Sequence, residues 1–110
     1  MENKNYNGWT NYETWVVAFW MDNEEGAQEF WREQAREQYE FYGPTGTWTR
    51  TENATYHLAD LVKSEFEENR PGVVGVYADL LNAAMSEVNW DELAKHRIDV
   101  LVIEQQAAIK

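Results

Sequence analysis

The chain contains no cysteine, which excludes a disulfide framework, a thiol nucleophile and any cysteine-based zinc site. It has only two prolines and six glycines in 110 residues, too few for a proline-rich linker or a low-complexity tract. Serine is scarce, Ser64 and Ser86 alone, and neither sits in a Gly-x-Ser-x-Gly elbow. The longest apolar run, Trp15 to Met21, is seven residues, whereas a membrane span needs about 20. Cations are scarce too. Nine Lys and Arg face 20 Asp and Glu, a net charge of −11. That balance excludes direct electrostatic binding to DNA, RNA or an anionic membrane as the main activity.

What is present is aromatic. The 15% of Phe, Trp and Tyr, with six Trp, separates this chain from acidic disordered segments. Those are poor in aromatics and cannot bury enough apolar surface to offset chain entropy. The expectation is one folded domain over 1–110, with residues 1–9 a polar arm ending in an Asn7-Gly8 turn. That arm lacks the basic start and apolar run of a signal peptide, so a cytoplasmic protein is expected.

The spacing of apolar residues predicts a mainly α domain of four to five helices. Thr10-x-x-Glu13 has capping-box spacing and opens a first helix to about Met21. Trp15 to Met21 is apolar all round, so that helix should be buried on most sides. The same run is rich in β-branched and aromatic residues and also fits a central strand. Helix two spans about Glu24 to Phe41, with Ala27, Phe30, Trp31, Gln34, Gln38 and Phe41 inward. Gly43-Pro44 and Gly46 mark a turn, and Thr47 to Thr51 alternates. A small hairpin near Trp48, giving an α+β fold, is therefore the alternative architecture. Helix three starts near a cap at Asn53 and buries Leu58, Leu61, Val62 and Phe66. Helix four covers about Val74 to Ser86, with Val76, Leu80, Leu81 and Ala84 facing in. Asn89-x-x-Glu92 caps helix five, whose apolar side is Trp90, Leu93, Ala94, Ile98, Leu101 and Val102.

The negative charge is not spread evenly. Residues 22–40 carry net −5, 60–70 carry −2, 79–104 carry −4, and the remainder balances. All three segments read as helices, so the carboxylates are mounted on rigid elements. Glu25, Glu29, Glu33 and Glu37, with Glu40 beside them, form a row on helix two; Glu65, Glu67 and Glu68 crowd the end of helix three. Glutamates four apart lie about 6 Å apart along the axis and repel by a few tenths of a kcal/mol. A solvated face that keeps the protein soluble explains such a row as readily as a binding face does. Among the aromatics, Trp15, Phe19, Trp20, Phe30 and Trp31 are expected in the core. Trp9, Tyr42 and Trp48 lie near turns and are the candidates for an exposed patch.

Catalytic patterns are thin. His57-x-x-Asp60 puts an imidazole and a carboxylate on one helix face, with no third group in view. His96 follows Glu92 by four residues and precedes Asp99 by three, the spacing of a small metal patch. No phosphate cradle, calcium loop or zincin motif occurs. No enzyme activity and no cofactor are expected. A small metal-assisted enzyme using His57 or His96 remains an alternative.

Two stretches carry a resemblance. Asn7-Gly8-Trp9-Thr10-Asn11-Tyr12-Glu13-Thr14-Trp15 resembles the opening of a group of small acidic proteins found in phages, plasmids and some bacterial genomes. Tyr77 to Trp90 is similar to the same group. The resemblance implies a mobile-element origin in a bacterial host and assigns no catalytic residue. In addition, Tyr77-Ala78-Asp79 with Ser86-Glu87 and Glu92 is similar to a stretch of a phage anti-restriction protein that mimics DNA. That similarity implies inhibition of a DNA-binding enzyme by occupation of its cationic groove, although this chain is less acidic and richer in Trp than such mimics.

The leading expectation is thus a non-enzymatic binding protein presenting ordered carboxylates to a basic protein surface, such as a host nuclease or a restriction or CRISPR-type defence complex. Its contact residues would be Glu25, Glu29, Glu33, Glu37, Glu40, Glu65, Glu67 and Glu68, with Trp9 and Trp48. No direct contact with nucleic acid or membrane is expected. The alternative is a structural or homo-oligomeric module paired through aromatic faces.

Overall fold

The Asn11 side chain accepts a hydrogen bond from the Thr14 amide and opens the first helix, α1 (Tyr12–Asn23). The cap is therefore Asn11 and not Thr10, one residue later than the capping-box spacing suggests. The Thr10 amide instead donates to Glu92 Oε1, 3.1 Å away. The computed structural model describes residues 6–109; residues 1–5 of the expected polar arm lie outside them. Asn7 and Gly8, both at positive φ, make the expected turn, closed by the Tyr6 and Trp9 backbones.

Four further helices follow: α2 (Ala27–Phe41), α3 (Arg50–Glu68), α4 (Val76–Ser86) and α5 (Trp90–Ile109). The fold is mainly α. No strand occurs among the described residues. Thr45 and Trp48 close an isolated turn with two backbone hydrogen bonds, so the α+β alternative is not realised. Trp15 to Met21 is helical, which resolves the choice left open by its composition.

Thr49 caps α3 through a full capping box. Its hydroxyl accepts from the Glu52 amide at 3.0 Å, and Glu52 accepts from the Thr49 amide at 2.8 Å. Two donors are satisfied at once, and the helix begins before Asn53. Asn53 instead donates to the Gly43 carbonyl (2.8 Å) and to Thr45 Oγ1 (3.1 Å), tying the α2–α3 connector to the helix. The expected cap at Asn89 is present, accepting from the Glu92 amide.

Helices α3 and α5 form the hub, and α2 packs on both. Leu58 and Val62 from α3 meet Leu93, Ile98 and Leu101 from α5 in one apolar cluster. Ala54, Ala59 and Ala94 are small, so the helices approach closely. Trp31 and Ala35 seal the cluster from α2, and Ala18 and Met21 from α1.

Several residues expected inside lie outside. Helix α1 packs mainly on α2 and α5, and its buried residues are Thr14, Ala18 and Met21. A helix at the edge of a bundle hides one face, so Phe19 and Trp20 are left exposed. Phe30 is also exposed, and Phe41, the last residue of α2, packs on Tyr42 with ring centroids 4.8 Å apart. The largest departure is α4. It contains no buried residue and takes part in none of the principal helix–helix contacts; Leu81 is half-buried, and Asn82 accepts a hydrogen bond from Arg70. Val76, Leu80 and Ala84 face solvent, not the core. The radius of gyration, 15.2 Å, exceeds the roughly 13 Å of a compact chain this long, as an arm outside the bundle requires.

Candidate partner-binding groove

Glu24 and Glu25 sit in the turn between α1 and α2, and Gly26 at φ 80° lets the chain reverse into α2. The first turns of α2 then place Phe30 and Trp31 against the end of α3. The Trp31 and Phe66 rings lie nearly parallel, centroids 6.2 Å apart, and Phe30 meets Trp31 edge-on at 4.8 Å. Phe66 also touches Trp90 of α5 at 5.9 Å. The result is an aromatic floor under an open groove of about 390 Å³. Glu24, Glu25 and Glu65 rim it, with Asn69 at one end.

The electrostatics of the two helix ends differ. Glu24, Glu25 and Glu29 lie at the N-terminus of α2, where the helix dipole favours anions. Glu65, Glu67 and Glu68 lie in the last turns of α3, which hold no basic residue, and there the dipole opposes them. Asn69 donates to Glu65 at both its carbonyl (2.8 Å) and Oε2 (3.0 Å), fixing that carboxylate at the groove. Among the described residues no cation pairs with Glu24, Glu25, Glu65, Glu67 or Glu68.

The groove joins one residue from each predicted acidic cluster, Glu25 and Glu65. Glu67 and Glu68 adjoin it on exposed positions and do not line it. The row along α2 is interrupted. Arg36 binds Glu33 and Glu40, the latter at 3.3 Å, and both carboxylates raise its pKa above the ordinary arginine value. Arg32 lies 3.9 Å from Glu104 of α5. Glu29 and Glu37 stay exposed, and Glu37 and Glu40 flank Phe41 and Tyr42 at the other end of α2. Trp48 is exposed beside Tyr56, which precedes Glu65 of the groove by nine residues, about 14 Å of helix. Trp9, expected in an exposed patch, is half-buried against the core and meets His96 edge-on at 5.2 Å.

Sequence reasoning missed Glu24, Phe30, Trp31, Phe66 and Asn69 as parts of one site. The aromatic members read as core because their spacing is helical. The paired acids Glu24-Glu25, set just before a helix, were the available signal.

The histidines have other neighbours. His57 stacks on Tyr42, centroids 3.6 Å apart and planes 7° from parallel. Around His96, Glu92 accepts from the Thr10 amide and Asp99 pairs with Lys95 at 2.7 Å. Among the described residues no group of three His, Asp or Glu side chains is placed to hold a metal ion.

The two stretches that carry the sequence resemblance meet each other. Asn11 Nδ2 donates to the Glu87 carbonyl at 2.7 Å, and the Asn89 amide donates to Thr14 Oγ1 at 2.8 Å. Thr14 is fully buried. The opening motif is thus a clasp on the start of α5.

A family model of unknown function, DUF7249, matches residues 2–108. The chain belongs to that family. No curated protein and no solved structure matches the chain. No helix among the described residues is long and apolar enough to cross a membrane.

Proposed function

We propose that the protein is a non-enzymatic binding module that receives a basic, partly apolar segment of another protein in the groove between α2 and α3. The observation that carries this reading is the acidic end of α3, without a cation partner among the described residues, beside a floor of exposed Phe30, half-buried Phe66 and buried Trp31. Three carboxylates there oppose the helix dipole, a placement typically costing about 0.3–1 kcal/mol each. An arginine or lysine side chain docked among them reverses that penalty. Phe30 and Phe66 supply apolar contact area under the charged rim that a bound segment desolvates, the arrangement that concentrates binding energy. The net charge of −11 steers cationic partners toward the protein from beyond contact range.

The partner class is a protein that itself binds nucleic acid, because such proteins carry cationic grooves. A host nuclease or a restriction or CRISPR-type defence complex in the bacterial cytoplasm is the proposed target. Occupation of its groove would block access to DNA. The interruption of the α2 row by Arg36 argues for contact through the groove and not through a continuous imitation of a DNA strand.

The test is competition. Purified restriction and CRISPR-type effector complexes are titrated with the protein against labelled duplex DNA, at low and high salt. The expected result is displacement of DNA that weakens as salt rises, and at least ten-fold weaker displacement by a Glu24→Gln, Glu25→Gln, Glu65→Gln variant. Equal displacement by the variant, or none by the natural protein at low salt, would overturn the proposal.

A further inference from the structure

We infer that the chain pairs with a second copy of itself, α4 of each copy seating on the α1 aromatic face of the other. Helix α4 has 11 residues, below the length at which isolated helices persist in water, about 12–15 residues. Its N-cap, Gly75, offers no side-chain hydrogen bond, and its one charged residue, Asp79, allows no ion pair along the helix. It takes part in none of the principal helix–helix contacts, and its best-covered residues, Ala78, Leu81 and Met85, are only half-buried. Yet Val74, Tyr77 and Leu80 are 82%, 68% and 62% exposed. An arm this apolar and this short requires a cover.

The molecule carries a second uncovered apolar face. Tyr6, Tyr12, Trp15, Phe19 and Trp20 form a ladder of rings along α1, successive centroids 5.7, 5.7, 5.7 and 6.3 Å apart. Four of the five are exposed. The α4 arm and the ladder each present roughly 500 Å² of apolar surface, the size of the largest patches on monomers, which are often functional. Exchanged reciprocally about a two-fold axis, the two contacts bury on the order of 1,500 Å², the size of a standard specific interface.

Charge selects the occupant. Residues 71–86 carry Asp79 alone, and the described part of the chain up to residue 23 carries only Glu13 and Asp22. Asp22 is paired with Arg97 of α5. A basic partner finds few carboxylates on these faces. A second copy, repelled by the acids of α2 and α3, meets its least charged surfaces here. This pairing does not depend on the groove.

The experiment is sedimentation of the full chain over a concentration series, at low and high salt. The expected result is a monomer–dimer equilibrium that strengthens with salt, because salt screens the repulsion between two −11 chains. Binding of a basic segment in the groove would weaken under the same change. Leu80→Ser and Phe19→Ser should each weaken the dimer at least ten-fold, with the buried hub of α3 and α5 still protected from hydrogen exchange. As a second readout, Tyr77→Cys and Phe19→Cys chains, otherwise free of cysteine, are mixed and oxidised. A disulfide joining the two different chains is expected. A monomer at every concentration, a dimer indifferent to both serine variants, or disulfides only between like chains would overturn the inference.

Discussion

Helices α3 and α4 have similar apolar patterns and opposite fates. In α3, Leu58 and Val62 are fully buried against α5. In α4, Val76, Tyr77 and Leu80 stand in solvent. Periodicity states which residues of a helix want cover. It does not state whether the same chain supplies it. The difference lies in the neighbours: α3 lies between α2 and α5, whereas α4 lies outside the helix packing.

The contrast can be broken or sharpened by four substitutions, followed by thermal and denaturant unfolding at low protein concentration. Leu58→Ala leaves a cavity in the hub and should lower stability by about 2–5 kcal/mol. Thr14→Val keeps the shape but removes the acceptor for the Asn89 amide, a loss of about 1–2 kcal/mol. Asn11→Ala removes the α1 cap and the bond to the Glu87 carbonyl and should lower stability by about 1 kcal/mol. Leu80→Ala should change stability by less than about 0.5 kcal/mol. A loss at Leu80 equal to that at Leu58 would mean that α4 belongs to the core of its own chain. Hydrogen exchange sharpens the same point. Amides of α3 should exchange only on global unfolding, and those of α4 orders of magnitude faster in the monomer.

The hub was readable because its signals agree. Leu93, Ala94, Ile98 and Leu101 recur at helical spacing, Asn89 caps them, and all four are buried. The cap at Thr49 was missed because a nearby Asn offered an equally good oxygen. Local chemistry cannot rank two caps when the choice depends on what Asn53 bonds across the connector. The groove was legible only in halves. Glu25 and Glu65 stood out as charge, but 40 residues separate them, and only packing of Trp31 on Phe66 brings their helix ends together. The exposure of Phe19, Trp20 and Phe30 was invisible for the opposite reason. An aromatic residue at helical spacing reads the same whether it meets the core or a surface.

The clasp between the opening motif and the start of α5 bears on how the chain is made. Its three hydrogen bonds span 82, 76 and 75 positions of sequence. Contacts of such separation close late in folding, because the intervening loop must first be ordered. A ribosome releases α1 long before it releases α5. The first helix synthesised therefore lacks its anchor until nearly the whole chain has emerged. During that interval the Thr14, Ala18 and Met21 face, buried in the finished fold, lacks the cover that α5 supplies, and nascent copies on one messenger are exposed to premature association.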